Sequence, residues 1–392
     1  MSQWPIVSLG SKVRFLSGGT PTKEEPKYWN GSIPWVSSAE MTQRRISNTK
    51  LLITKDGAVA GSKLVPSRTV LVVVRGMSLA KEFRVAITMR EMAFNQDLKA
   101  LYPAKDLDPR YLFYYLLSQN NAIRDSASEA AHGTKKLDMP VLEQWPLAFP
   151  PMPHQLRIAS ILSIYDDLIE NNRRRFALLE RMAEQLYREW FVRFRFPGYQ
   201  QCRSKKGLPA EWIPGKLGQI LELGYGKALK EENRLLGKFP VYGSSGQVGS
   251  HNSFLVEGPG IIVGRKGNVG SVHWCDNAFF PIDTAYFVRS DVSKYYLFFL
   301  LQTMNFLNND AAVPGLSRQQ AYANDVLIPP SYLIARFEKL VIPIFELRAK
   351  LSKANDQLTR TRDLLLPRLI SGKLRVDKLN IQFPPSMQAE SA

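Results

Sequence analysis

Pro150-Pro151, followed by an apolar stripe at heptad spacing, recurs as Pro329-Pro330 followed by a second stripe, at a period of 179 residues. Two such periods take up nearly all of the 392 residues. The chain therefore reads as a tandem of two long units, each an irregular domain followed by one long helix.

In the first stripe, Ile158, Leu162, Tyr165, Ile169, Asn172, Phe176, Leu179, Ala183, Leu186 and Trp190 alternate steps of four and three without a break. That is the seam of a coiled coil rather than a helix buried all round. One period later, Phe337, Ile344, Leu351, Leu358 and Leu365 fall opposite Ile158, Tyr165, Asn172, Leu179 and Leu186. Leu340, Leu347, Ala354 and Thr361 are expected to fill the alternate positions of this second seam.

Two matched seams in one chain most simply pack on each other. The first helix leads out of domain one into domain two and the second starts from domain two, so full-length packing makes the pair antiparallel. From Leu156 to Phe194 the first helix would span roughly 58 Å at ~1.5 Å per residue. Asn172 lies near the middle of that seam, where a buried amide fixes register, or where a slightly rotated helix leaves it solvated. Pro343 removes a backbone donor from helix two and is expected to interrupt it and kink its first turns.

The fold class expected is α+β: two α/β-mixed domains separated by a two-helix antiparallel coiled coil, in a pseudo-two-fold tandem repeat. The boundaries are 1–150 for the first domain, 151–197 for the first helix, 198–327 for the second domain, 328–376 for the second helix and 377–392 for a loose tail. Within the domains, Val70 to Arg75 reads as a buried strand and Tyr111 to Gln119 as an apolar helix. Gly260 to Gly264 and Tyr296 to Thr303 repeat that order. Phe94 to Asp97 corresponds to Phe280 to Asp283, and Gly133 to Lys136 to Gly315 to Arg318, while the early parts of the domains share little. The scaffold repeats and the early loops do not.

Charge points to a partner. Fifty-two Lys and Arg against 35 Asp and Glu give a net +17, which favours a polyanion through counterion release. Between Glu170 and Lys206 stand ten basic residues and four glutamates; Arg173 to Arg175 within that run either touch nucleic acid or only solubilise a helix face. Two cysteines do not make a disulfide framework, no apolar run approaches membrane-spanning length, and Met1 to Pro5 does not read as a signal peptide. A cytoplasmic protein is expected.

Several loops carry groups suited to nucleic acid. Thr20 and Thr22 follow Gly18-Gly19, and Tyr242, Ser244 and Ser245 flank Gly243; both loops can offer amides and hydroxyls to phosphate, or serve simply as turns. Arg75, and Arg265 with Lys266, stand just after apolar strands, where a basic side chain on a rigid support reaches phosphate or the acceptor edge of guanine. Lys135 and Lys136 and, in the second domain, Arg318 and Gln319 complete the candidate DNA-binding set. Gln319 also suits a solvated helix start.

Catalysis would need a constellation that the sequence does not offer. Asp108-Pro109-Arg110-Tyr111 superficially matches the acidic Pro-Pro-Tyr loop of amino-methyltransferases, but the second Pro is Arg, and Asp108 reads as a helix cap. Gly264 to Gly270 is glycine-rich without dinucleotide or Walker spacing. His273 and Cys275 lack a second ligand pair, so no metal site is expected. The four histidines form no triad.

Some residues resemble a known family. Gly18-Gly19-Thr20-Pro21, Tyr28 to Gly31 and Ile33 to Val36 resemble the opening of a target-recognition domain in specificity subunits of type I restriction-modification enzymes. Val241 to Gly246 with Gly264 to Gly270 is similar to another subclass of such domains. Leu186 to Phe191 and Leu365 to Gly372 resemble the ends of that family's central and distal conserved helices, and the match spans about residues 5 to 376. The resemblance implies a non-catalytic subunit that reads a split double-stranded DNA sequence, one half per domain, with the helices as a ruler. It implies two modification subunits bringing S-adenosylmethionine to methylate adenine, restriction subunits using ATP with Mg, and no cofactor on this chain. Leu178, Met182, Phe191, Leu364 and Leu366 add apolar groups beside the seam and are expected to dock modification subunits. A stand-alone two-domain DNA-binding regulator shares the charge and the helices, but needs no partner enzyme. A self-contained methyltransferase would need a cofactor loop that is missing.

Overall fold

A computed structural model describes residues 4–130, 133–205, 207–306 and 315–376; the expected tail, 377–392, lies outside the described residues. The protein forms two compact units. The first holds the chain up to Glu170 and again from Asp356; the second is Asn171–Asn355.

In the first unit, the apolar run after Thr69 becomes the strand Val70–Val73, the middle of a five-stranded sheet. Its neighbours are Leu98–Pro103 and Val85–Thr88, and the edges are Val13–Ser17 and Arg45–Ile46. Successive residues of a strand face opposite ways, so a run apolar at every position must bury both faces. Val70 and Val72 enter a core shared with Tyr111, Leu112 and the long helices, while Leu71 and Val73 enter a second core with Val36, Phe94 and Ala100. A smaller sheet runs in the order Leu51–Ile53, Trp29–Val36, Met92–Phe94, Leu64–Val65, with a parallel join that sets Ala93 opposite Trp35.

The helix Pro109–Ser118 follows as expected. The Asp108 carboxylate accepts the N–H groups of Arg110 at 2.9 Å and Tyr111 at 3.0 Å, so Asp108 is a helix cap.

The second unit repeats the plan. Gly260–Gly264 lies between Ala285–Arg289 and Val272–Cys275, with Glu222–Tyr225 at the far edge. Ile261 and Val263 face one core with Tyr286 and Phe299, and Ile262 another with Phe279 and Phe287. Its smaller sheet orders Gly246–His251, Phe239–Gly243 and Phe280–Pro281, again with a parallel join, here setting Val241 opposite Phe280. The early parts of the two domains thus share strand order although they share little sequence.

The central helix is Met152–Tyr187, prolonged by a π-helical turn over Arg188–Val192, and the distal helix is Ser331–Ile370. Pro343 does not interrupt the distal helix, which runs through both it and Pro367. A helical proline forfeits one backbone hydrogen bond, and the flanking packing of Val341 and Phe345 in the second unit's core offsets that loss.

Within each unit the helix segments pair in antiparallel fashion. In the second unit, as the central helix advances through Asn172, Glu180 and Tyr187, its partners recede through Asn355, Arg348 and Phe337. Asn172 donates its amide to the Asn355 carbonyl at 3.0 Å, so it lies in the seam and not in solvent. All ten expected positions of the central seam are buried or half-buried. The distal seam differs in part from expectation: Leu340, Leu347 and Thr361 are exposed while Val341, Arg348 and Arg362 beside them are buried, and Ala354 is half-buried together with Asn355. Two arginines two heptads apart, Arg348 and Arg362, thus take places that the heptad count assigns to their neighbours. Among the described residues, no helix is long and apolar enough to cross a membrane.

Candidate nucleic-acid interface

In the first unit the buried strand Val70–Val73 leads, past Val74, to Arg75 at the surface. Arg75–Gly76 then pairs antiparallel with Lys135–Lys136, setting Lys136 opposite Arg75 and Lys135 opposite Gly76. Gly76 has φ +137°, a conformation that favours glycine, so this short ribbon depends on it. Val74 donates its N–H to the Asp97 carbonyl at 2.9 Å, which joins the Phe94 to Asp97 segment to the same corner. Thr20 donates its hydroxyl to the Gln96 side chain at 2.7 Å. Gly18 and Gly19 are packing residues: a Cβ on Gly18 would meet the Phe94 carbonyl oxygen at 2.3 Å, and one on Gly19 the Gly61 carbonyl oxygen at 2.3 Å.

The structure thus gathers Thr20, Arg75, Lys135 and Lys136 around one corner. Arg75 and Lys136 are exposed, and Lys136 pairs with Asp138 at 2.8 Å, which holds that carboxyl below its usual range. Thr22 is exposed in the preceding loop, where its carbonyl accepts the Trp29 indole N–H at 3.1 Å.

The second unit builds a corresponding corner. After the strand Gly260–Gly264, the Arg265 and Lys266 amides donate to the Thr284 carbonyl at 2.9 and 3.2 Å, and Lys266 bridges to Gly315. The Arg265 guanidinium donates to the Asp283 carbonyl at 3.1 Å and lies over the rings of Tyr225, at 5.0 Å, and Tyr286, at 5.8 Å. Arg318 covers Tyr225 as well, at 4.5 Å. Tyr225 therefore carries two guanidinium groups, each held in place by a cation–π contact. Sequence reasoning missed Tyr225; an aromatic residue between Gly224 and Gly226 at a strand end was the available signal. Lys266, Ser245 and Gln319 are exposed.

Two expected contact residues turn inward. Ser244 is buried, its hydroxyl accepting the Asn268 N–H at 3.4 Å and its carbonyl engaged by Ser271 and His273. It ties the hairpin tip to the Gly267 to His273 loop and is not free for phosphate. Tyr242 packs edge-on against Phe279, and burial pushes its hydroxyl well above the ordinary tyrosine value. A register shift between Val241 and Tyr242 accompanies that inward turn.

The expected docking residues also divide. Leu178, Met182 and Leu364 are exposed, whereas Phe191 and Leu366 are each 7% exposed and belong to the cores of their own units. Phe191 and Leu366 are thus already covered from within. Among the described residues no cluster of three His, Cys, Asp or Glu side chains could hold a metal ion.

Two units of one plan, each with a cationic corner at the end of a buried strand, define a tandem recognition protein. A family model described as the type I restriction modification DNA specificity domain matches residues 1–181 and 209–331. The chain belongs to that family, and it is a non-catalytic, DNA-recognising specificity subunit of a type I restriction-modification system. Membership implies DNA and restriction-modification subunits as partners and no cofactor of its own.

The chain is similar to the type I restriction enzyme MjaIX specificity subunit of Methanocaldococcus jannaschii, 24% identical over 414 residues that cover 96% of this chain and 94% of that one. It is also similar to the EcoR124I/EcoR124II specificity subunit of Escherichia coli, 29% identical over 163 residues, 41% of this chain and 40% of that one. Its fold is similar to the crystal structure of the type I restriction-modification system S subunit from M. genitalium, with a TM-score of 0.59 and 20% identity over 94% of this chain and 96% of that one.

Proposed function

We propose that the chain reads a bipartite double-stranded DNA target, one half through each recognition domain, at 1–150 and 198–327. The observation that supports this is the recurrence of one scheme with different side chains. Arg75, Lys135 and Lys136 surround the first corner, and Arg265, Lys266 and Arg318 surround the second. A common scaffold carrying unlike chemistry suits two unlike half-sites.

The helices at 151–197 and 328–376 would dock two modification subunits through Leu178, Met182 and Leu364. Those subunits would supply S-adenosylmethionine for adenine methylation, and restriction subunits would translocate and cleave with ATP and Mg. The complex would act in the cytoplasm, where cellular DNA is accessible.

Selection of bound sequences from randomised DNA tests this. Arg75→Ala should relax base preference in one block and Arg265→Ala in the other, each by roughly 1 to 3 kcal/mol if the guanidinium is bidentate to guanine. A uniform loss across all sequences with a shallower salt dependence would make both residues phosphate contacts. Tight, specific binding by a soluble chain that never associates with a methyltransferase would instead favour a stand-alone regulator.

A further inference from the structure

Met77 is 74% exposed. It follows Gly76 in the cationic corner of the first unit, where Lys135 and Lys136 pair with Gly76 and Arg75. Its support is fixed rather than loose. Met77 opens the short turn Met77–Ala80, whose Leu79 is fully buried and whose Ser78 carbonyl accepts the N–H groups of Lys81 at 3.0 Å and Glu82 at 2.8 Å. An exposed thioether on a fixed turn among basic residues is an apolar contact surface presented to a polyanion.

Strand pairing locates the corresponding position in the second unit. Val74 donates its N–H to Asp97 and accepts that of Leu137 as Arg265 donates to Thr284 and accepts from Leu316, so Arg75 opposite Lys136 matches Lys266 opposite Gly315, and Met77 corresponds to Asn268, a polar residue. The apolar group belongs to one corner alone.

We propose that Met77 reads the C5-methyl group of thymine in the half-site bound by the first unit. This rests on the DNA-facing reading of that corner. Thymine's methyl is the apolar group that a base edge displays in the major groove, and methionine's flexible, polarisable chain fits such a small surface. The other use of an apolar tip on DNA, a wedge between bases, is disfavoured by magnitude. Parting a base step costs about as much as burying one methionine returns, whereas meeting a methyl at the base edge needs no deformation.

The test is a cycle with the full chain and its selected target DNA. Each thymine of the first half-site, on either strand, is replaced in turn by deoxyuridine, and binding is compared for the wild-type protein and Met77→Ala. One replacement should weaken wild-type binding about fourfold, the worth of one buried methyl, and should leave the variant unchanged. Equal losses in both proteins, or no loss at any thymine, would overturn the proposal. So would a 2-aminopurine signal of base unstacking that vanishes in Met77→Ala, since that marks a wedge. Arg75→Ala measured alongside separates the two levels: if it leaves DNA binding unchanged, the corner itself does not face DNA. If it weakens binding while the uridine cycle shows nothing, only the role of Met77 fails.

Discussion

Asp166 of the central helix and Arg362 of the distal helix, 196 positions apart, form an ion pair at 2.5 Å with each side chain 8% exposed. The Tyr114 hydroxyl donates to the other carboxylate oxygen of Asp166 at 2.6 Å, so both oxygens are engaged. Removing one partner strands a buried charge. Arg362→Ala should therefore destabilise the first unit by about 3 to 5 kcal/mol in urea unfolding. Replacing the whole network, as Asp166→Leu with Arg362→Met and Tyr114→Phe, should be close to neutral, because no desolvated charge remains. A small loss for the single variant would mean that water already reaches the pair.

The same pair shows where the sequence was legible. Val70 to Val73 and Gly260 to Gly264 declare themselves, since a short run apolar at every position suits a strand buried on both faces. The central seam is legible because its spacing repeats without a break. In the distal seam the apolar rule selects Leu340 and Leu347, yet Arg348 and Arg362 are the buried residues. Their burial depends on partners at Glu180 and Asp166, which no local window contains. The Arg348 guanidinium also lies over the rings of Phe176 and Phe345, 4.5 Å from each centroid, cation–π contacts that help to bury it.

The candidate interface was legible to a similar depth. Basic residues at strand ends can be picked out by position, and the structure brings them together in each unit. The inward turn of Tyr242 and Ser244 could not be read, because it depends on strand register and on the Asn268 and His273 contacts of a separate loop.

Alkali provides a second prediction. Burial raises the hydroxyls of Tyr111 and Tyr114 well above the ordinary value of 10, and that of Tyr115 to about 12. The folded state then holds protons that the unfolded state has released, so this contribution is complete below pH 10 and is lost as pH rises through 12. Tyr115 also donates to the Pro146 carbonyl. Tyr115→Phe should therefore cost about 1 kcal/mol at pH 8, yet reduce the fall in stability between pH 10 and 12 by up to ~1.4 kcal/mol per pH unit. An unchanged slope in denaturant titrations across that range would show that Tyr115 ionises freely in the native state.

A third prediction separates docking groups from core groups. Met182→Glu and Leu364→Glu alter exposed positions and should change stability by less than about 0.5 kcal/mol, while abolishing co-purification with the modification subunit. Phe191→Ala and Leu366→Ala empty packed sites and should cost about 2 to 5 kcal/mol whether or not a partner is present. Retained assembly by a folded double variant, Met182→Glu with Leu364→Glu, would remove the proposed docking surface.

The last prediction concerns the spacer between the two half-sites. The chain passes between the units twice, at Glu170 to Asn171 and at Asn355 to Asp356, each time inside a helix. If the helices act as the ruler, inserting seven residues at both crossings keeps the 4-3 phase of each seam and adds about 10 Å at ~1.5 Å per residue. At ~3.4 Å per base pair that corresponds to roughly three base pairs. The insertion must be made in both helices, since with one alone lengthened the paired helices could not keep both Asp166 on Arg362 and Asn172 on Asn355 in register. Sequencing methylated positions in cells carrying the double insertion should then show both specified blocks unchanged and the unspecified spacer longer by about three base pairs. A folded, active insertion variant with the original spacer would show that the helices do not measure the gap.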